Sequence, residues 1–182
     1  RIVNISIGTL PHQGDEEEME LMRWVDRLWD EGLVVVTAAG NFGPRSGTVT
    51  IPGISKKVIT VGASDDGNQK DRYGKVGTNY SGRGPTAECV CKPDLVAPGS
   101  YIRSCNGFSQ KKNQKAYSVK SGTSMSAPVV SGAVALLLSK YPDMKNVEVK
   151  LRLLMSADDV AKDPNIQGRG LLNIEKLLNP TL

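Results

Sequence analysis

The spacing of apolar residues along this chain changes period several times, and each change marks an element. "RIVNISI" (residues 1–7) predicts a strand that ends at Gly8. A polar turn, "TLPHQG", precedes "DEEEMELMRWVDRLWDEG", in which Met19, Met22, Val25, Leu28 and Trp29 recur at helical spacing, with Leu21 and Trp24 on a neighbouring row. This predicts a helix whose Met and Trp stripe faces a core. Its acidic start, residues 15–18, suits the positive end of the helix dipole, and Gly32 is placed to end it. "LVVVTAAG" then predicts a strand covered on both faces, as in a parallel sheet, so strand, helix and strand form a βαβ unit. "KVITVGAS" (residues 57–64) predicts another buried strand. Short strands are expected in "PDLVAPG" and "SYIRSC", with "AYSVKSG" pairing nearby as a hairpin. From Ser124 the pattern turns helical until Pro142, and further helices are expected over residues 147–156 and 174–178. The fold class is α/β, with no internal repeat and no linker dividing the chain.

Composition adds limits. A chain of 182 residues suits one large domain with a sizeable core, and 19 Gly with 10 Pro imply many tight turns. The net charge of +4 is mild, and the basic residues are scattered apart from "QKKNQK" (residues 110–115), read as a solvated loop tip; no nucleic-acid partner is expected. No apolar run reaches membrane-spanning length, so no membrane partner is expected either. The chain opens on Arg1 inside a strand-like run, which reads as part of a longer polypeptide. Cys89, Cys91 and Cys105 lack the usual zinc spacing, and His12 is remote in sequence, so no metal cluster is assigned; free buried thiols are expected, with a Cys105 bridge to Cys89 or Cys91 as the alternative.

Ligands of such sheets bind beyond the carboxyl ends of the strands. Three segments fall there: "SIG" (Ser6, Ile7, Gly8), "AAGN" (Ala38, Ala39, Gly40, Asn41) and "SGTSMSAP" (residues 121–128). Singly, each has an ordinary role, as helix cap or turn former. Together and in this order they resemble the subtilisin-like serine proteases, the subtilase family (peptidase S8). "GTSMSAP" is similar to the family's nucleophile motif, with Ser124 as nucleophile. "AAGN" is similar to the segment whose Asn holds the oxyanion, here Asn41, and "VNISIG" to the strand whose end pairs with bound peptide. "IPGISKKVITVGASD", "YSGRGPT" with "KPDLVAPG", and "GRGLLNIEKLL" resemble further family segments, so the resemblance spans essentially the whole chain. It implies a three-layer subtilisin-like fold with a mainly parallel sheet, residues 1–182 forming the C-terminal part of a catalytic domain. Two departures stand out: Val129 occupies a position where the family often has His, and the stretch from Asn41 to Ser124 is long, with extra loop expected near "ECVCK" and "NGFSQKKNQK".

The implied chemistry is peptide-bond hydrolysis through an acyl-enzyme on Ser124. A serine hydroxyl needs a base to take its proton, and the resulting oxyanion needs donors. A helix start at Ser124 aims free N–H groups at that oxygen, Asn41 offers an amide N–H, and Thr123 supports the oxyanion side. By resemblance the substrate is an extended polypeptide lying along Ser6, Ile7 and Gly8. The side chain before the scissile bond enters a slot walled by Ile7, Ala38, Ala39 and Gly40, with Thr50 near its floor. No acidic residue enters this slot, so no preference for Lys or Arg is expected. The chemistry needs no cofactor; structural calcium is frequent in the family, and no site for it is assigned. Many relatives are secreted and some act inside cells, and the cysteines leave the compartment open.

The family's triad runs Asp, His, Ser along the chain, yet the single histidine here is His12, and no Asp precedes it. The general base is therefore expected upstream, His12 is read as a surface-turn residue, and the chain alone is expected not to hydrolyse peptides. An unpaired first strand is expected to associate with the N-terminal part of the same protease or with a second copy. The alternative is a pseudoprotease or peptide-binding scaffold. A nucleotide-binding domain is disfavoured, because neither "GRGP" nor "TAAGNFG" has phosphate-loop glycine spacing.

Overall fold

The computed structural model describes residues 1–12, 14–67, 79–107, 115–160 and 162–179. Its first three elements are β1 (Ile2–Ile5), α1 (Glu16–Asp30) and β2 (Val34–Ala38), followed by β3 (Ile59–Ala63) and β4 (Leu95–Ala97). These four strands form one parallel sheet in the order β1-β2-β3-β4, with Ile2 opposite Val34, Val36 opposite Ile59 and Val61 opposite Leu95. Every residue of β2, β3 and β4 is buried, as the continuous β-branched runs require of strands covered on both faces. β1 is the edge strand; Ile2, Val3 and Ile5 are only half-buried.

After β4 come β5 (Ile102–Cys105) and β6 (Tyr117–Lys120), an antiparallel pair separate from the main sheet. Then follow α2 (Thr123–Lys140), α3 (Asn146–Ser156), α4 (Pro164–Gln167) and α5 (Ile174–Leu178). α2 packs on all four strands of the parallel sheet, burying Ala127, Val130, Ala133, Val134, Leu137 and Leu138. At roughly 25 cal/mol per Å² of apolar surface removed from water, this helix is a leading contributor to the core. The α/β expectation thus holds, element by element. The short α4 was not expected, although Asp163 accepting from Asn165 N, with Pro164 next, is an ordinary helix start.

α1 departs from the sequence reading in its facing. Asp15 caps it by accepting from Glu17 N and Glu18 N. Val25 and Trp29 enter the core, but Met19 and Trp24 are about half exposed, and Glu18 is buried in their stead. Polar bonding decides this: the Glu18 carboxylate accepts from the His12 backbone N–H at 2.7 Å and meets His12 Nδ1 at 2.8 Å. The cysteines are free, as expected, but exposed and not buried. Cys89 sits at the tip of a tight turn (φ 57) and Cys105 on the exposed β5, where no core could receive them. Residues 110–114 of the basic stretch lie outside the described residues.

A buried cation joins β3, β4 and α3. Lys92 is 1% exposed, and its Nζ donates to Asp94 Oδ2 (2.6 Å), Thr60 Oγ1 (2.9 Å) and the Val58 carbonyl (3.2 Å). Lys150 Nζ lies 3.2 Å from Asp94 Oδ1 and donates to the carbonyls of Lys56, Lys57 and Val58. Burial brings the Lys92 ammonium down to about 8, with the Lys150 charge adding and Asp94 opposing. In the unfolded chain the same group titrates near 10.5. Between these values the unfolded state binds more protons, so Lys92 makes folding more favourable as pH rises from about 8 to about 10.5. Urea unfolding of the parent and of Lys92→Met should therefore show the parent gaining on the variant over that window. Parallel curves would exclude a depressed Lys92.

Candidate active site

Three chain segments meet beyond the carboxyl ends of β1 and β2. β1 pairs with β2 only as far as Ile5 opposite Thr37, and the expected strand through Ile7 is cut short there. Beyond that point the two backbones part, and a cavity of about 420 Å³ opens between them. Ser6, Ile7, Gly8, Ala38, Gly40, Asn41, Phe42, Thr50, Thr123 and Ser124 line it.

Ser124 stands in the first turn of α2, where backbone N–H groups have no partner within the helix. Pro128 lies four residues on and has no N–H, so the Ser124 carbonyl also stays outside the helical ladder. The Ser124 hydroxyl donates to the Ser6 carbonyl at 3.0 Å. The end of β1 is held against α2 a second way: Ser131 Oγ donates to Asn4 Oδ1, and Asn4 Nδ2 donates to Ser6 Oγ, both at 2.9 Å.

Asn41 reaches the same point from the β2 side. Its Oδ1 accepts from Thr123 N (2.9 Å) and from Thr123 Oγ1 (3.1 Å). Thr123 is fully buried, and its hydroxyl also accepts from Gly40 N at 3.1 Å. Two donors on Oδ1 fix which way round the amide sits, leaving the Nδ2 hydrogens free to point elsewhere. Gly122 makes room for that nitrogen: at φ 147 it takes a conformation that favours glycine, and a Cβ there would lie 3.2 Å from Asn41 Nδ2. Gly40 (φ +91) plays the same part lower in the slot, where a Cβ would lie 2.4 Å from Thr50 Cγ2.

Thr50 forms the floor. It is 1% exposed, and its hydroxyl has no hydrogen-bond partner among the described residues. No charged side chain lines the cavity among the described residues. Of the residues expected in the wall, Ala39 does not line it. Ala39 is fully buried and works through its backbone, N–H to the Val61 carbonyl (2.9 Å) and carbonyl to Thr50 N (3.0 Å), which spans from β3 to the slot floor. Sequence reasoning missed Phe42, a lining residue that is 51% exposed. The signal was its place in "GNFG": a large aromatic in a glycine-flanked turn has no core to enter.

His12 is exposed and bonded to Glu18, which raises its pKa through the hydrogen bond and the adjacent negative charge. It belongs to the turn ahead of α1, and the Ser124 hydroxyl meets a backbone carbonyl, not an imidazole. His12, Asp15 and Glu18 also place three potential ligand atoms within 4.8 Å of one another. They do not suit calcium. One is a nitrogen, Asp15 is spent on capping α1, and Glu18 is spent on His12. The oxygens gathered around Asp94 are already served by two ammonium groups.

The Subtilase family (peptidase S8) matches this sequence over residues 1–170. Among curated relatives, serine protease AprX of Bacillus subtilis (strain 168) is 42% identical over 185 residues, covering 96% of this chain and 42% of that protein. Subtilisin DY of Bacillus licheniformis is 32% identical, covering 96% of this chain and 55% of that protein. Among solved structures, the S41 psychrophilic protease superposes with a TM-score of 0.75 at 26% identity, covering 94% of this chain and 56% of that one. The prenylagaramide maturation protease PagA gives 0.71 at 28% identity, covering 97% and 60%. The chain thus spans about half the length of the relatives it matches.

Proposed function

The chain belongs to the subtilase family, and on that premise we propose that it carries the nucleophile, oxyanion site and substrate-binding strand of a serine endopeptidase. The observation that supports this best is the meeting of Asn41 and the start of α2 through Thr123, beside the Ser124 hydroxyl. Ser124 Oγ attacks the scissile carbonyl, and the oxygen that becomes negative is received by the Ser124 backbone N–H and Asn41 Nδ2. Thr123 touches neither reacting atom; it is a positioning residue that holds the Asn41 amide the right way round.

The substrate is an extended polypeptide. It pairs with the backbone of Ser6, Ile7 and Gly8, which β2 leaves unpaired, and the residue before the scissile bond enters the slot above Thr50. A slot lined by neutral groups favours uncharged side chains over Lys and Arg. The general base and the carboxylate that orients it come from an upstream part of the same protease. That part, or a second copy of this chain, pairs with the open edge of β1.

The direct test is a fluorophosphonate probe on the intact protein. Covalent labelling that peptide mapping places on Ser124, and that disappears in Ser124→Ala, is the expected result. A folded intact protein that resists the probe would overturn the proteolytic reading and leave a peptide-binding scaffold. The 182-residue chain alone should show neither labelling nor turnover, because no base reaches Ser124 among its described residues.

A further inference from the structure

The β5–β6 hairpin is an arm with little beneath it. Both strands are largely exposed, Tyr117 by 52% and Val119 by 57%. Each strand has an outer edge without a ladder partner among the described residues. The register puts Arg103 opposite Val119 and Cys105 opposite Tyr117 on one face. On that face the Arg103 guanidinium lies over the Tyr117 ring, 4.9 Å from its centroid. Arg103, Lys115, Ala116, Tyr117 and Val119 enclose a shallow concavity of about 500 Å³. Arg103 and Lys115 bring two cations to this face, and no carboxylate lines it among the described residues. The sequence agrees: no Asp or Glu occurs between Asp94 and Asp143. Nothing in the core requires this charge, since an arm of two strands contributes little burial.

Its mounting ties it to the reaction. Gly122 N donates to the Gly99 carbonyl (2.9 Å), and Tyr101 N donates to Ser121 Oγ (2.8 Å). The base of the arm is therefore fixed to the turn that carries Ser124. Gly99 follows β4, at the opposite edge of the sheet from β1, whose end supports the acyl half of the substrate. A polypeptide lying along Ser6–Gly8 and reaching Ser124 therefore comes to the same turn on which the arm is mounted. Tyr117 lies seven residues before Ser124, so it is at most about 25 Å away along an extended backbone. An extended substrate covers that distance in about seven residues.

We propose that the β5–β6 arm is a substrate-selecting surface, on which Arg103, Lys115 and Tyr117 bind an acidic stretch of the polypeptide on the leaving-group side of the scissile bond. The proposal rests on the proteolytic reading. The slot then chooses the residue before the cut by size, and the arm chooses the following segment by charge. The added strand can also pair with a free edge of the hairpin, since an extended peptide satisfies such an edge without a fixed sequence.

The test uses the intact protein and three peptides identical up to the scissile bond. They carry Glu, Gln or Lys at the third to seventh positions after it. The expected kcat/KM order is Glu, then Gln, then Lys, with about five-fold between Glu and Gln at low salt, the size of two exposed ion pairs. This ratio should shrink toward one in 0.5 M salt. The double variant Arg103→Glu, Lys115→Glu alters two exposed positions and should invert the order of the three peptides. Equal kcat/KM for all three peptides, or an order indifferent to the double variant, would overturn the proposal. Fluorescence anisotropy with the same peptides on Ser124→Ala reads the preference without turnover. An intact protein that cuts no peptide and resists fluorophosphonate sinks the proteolytic reading, and the substrate-selecting role falls with it. Anisotropy that shows no charge preference sinks the arm alone.

Discussion

Ser124→Ala in the intact protein is expected to lower kcat by about six orders of magnitude, the range that belongs to loss of the nucleophile in subtilisins, and to leave peptide affinity nearly unchanged. The two halves of this expectation come from different atoms. Removing Oγ deletes the attacking group, and no neighbouring hydroxyl can replace it: the Thr123 hydroxyl is buried between Gly40 N and Asn41 Oδ1. Affinity depends on the Ser6–Gly8 backbone and on the slot, neither of which the substitution touches. The cost to folding is small as well. Oγ makes one neutral hydrogen bond, to the Ser6 carbonyl, and Ser124 is only half-buried, so the loss is about 1 kcal/mol. Steady-state kinetics with urea unfolding of the same preparations checks this. A variant that keeps more than a few per cent of parental kcat, with an unchanged unfolding midpoint, would show that residue 124 is not the nucleophile.

The fold and the candidate site were legible in the sequence to different depths. β2 and β3 announce themselves because a strand buried on both faces has no polar position to spare. α2 does so because eighteen residues ending at Lys140 carry almost no charge. The approach of Ser124 to Asn41 was legible through motif order, since neither residue's own neighbourhood distinguishes a nucleophile from a cap or an oxyanion donor from a turn. The facing of α1 was not legible. Periodicity weighs Met19 and Trp24 as core residues, whereas the fold spends that direction on Glu18, whose two oxygens are held by His12 in the turn just ahead of the helix. Ala39 misled for a related reason: "AAG" marks a close approach of backbone to substrate, but only one side of a β-like segment can face the slot. Ala38 and Gly40 take that side, and Ala39 points into the core. Phe42 and the use of the basic arm's exposed face escaped, although the hairpin itself was expected, because exposed residues answer to partners, not to packing.

Asn41→Leu is expected to lower kcat by about 10²–10³ with KM little changed, a range that belongs to the subtilisins' own oxyanion asparagine. The split follows from where the charge appears. A carbonyl in the bound substrate is a weak acceptor, and an exposed Asn41 gives it little beyond what water gives. In the tetrahedral intermediate the same oxygen is anionic, and a donor already aimed at it needs no reorganisation. Aim is what Thr123 supplies, through two bonds to Oδ1. The substitution therefore has a second consequence: Thr123 N and Oγ1 lose their acceptor in a fully buried position, which costs about 1–3 kcal/mol of stability. Kinetics should be measured well below the unfolding transition of both proteins, so that lost activity is not lost fold. Thr123→Val provides the contrast. It keeps the backbone N–H on Asn41 Oδ1 but frees the amide from its second donor, so it should cost about ten-fold in kcat, less than removing Nδ2 altogether. If Asn41→Leu raises KM while sparing kcat, the carboxamide binds ground-state substrate, and the oxyanion assignment fails.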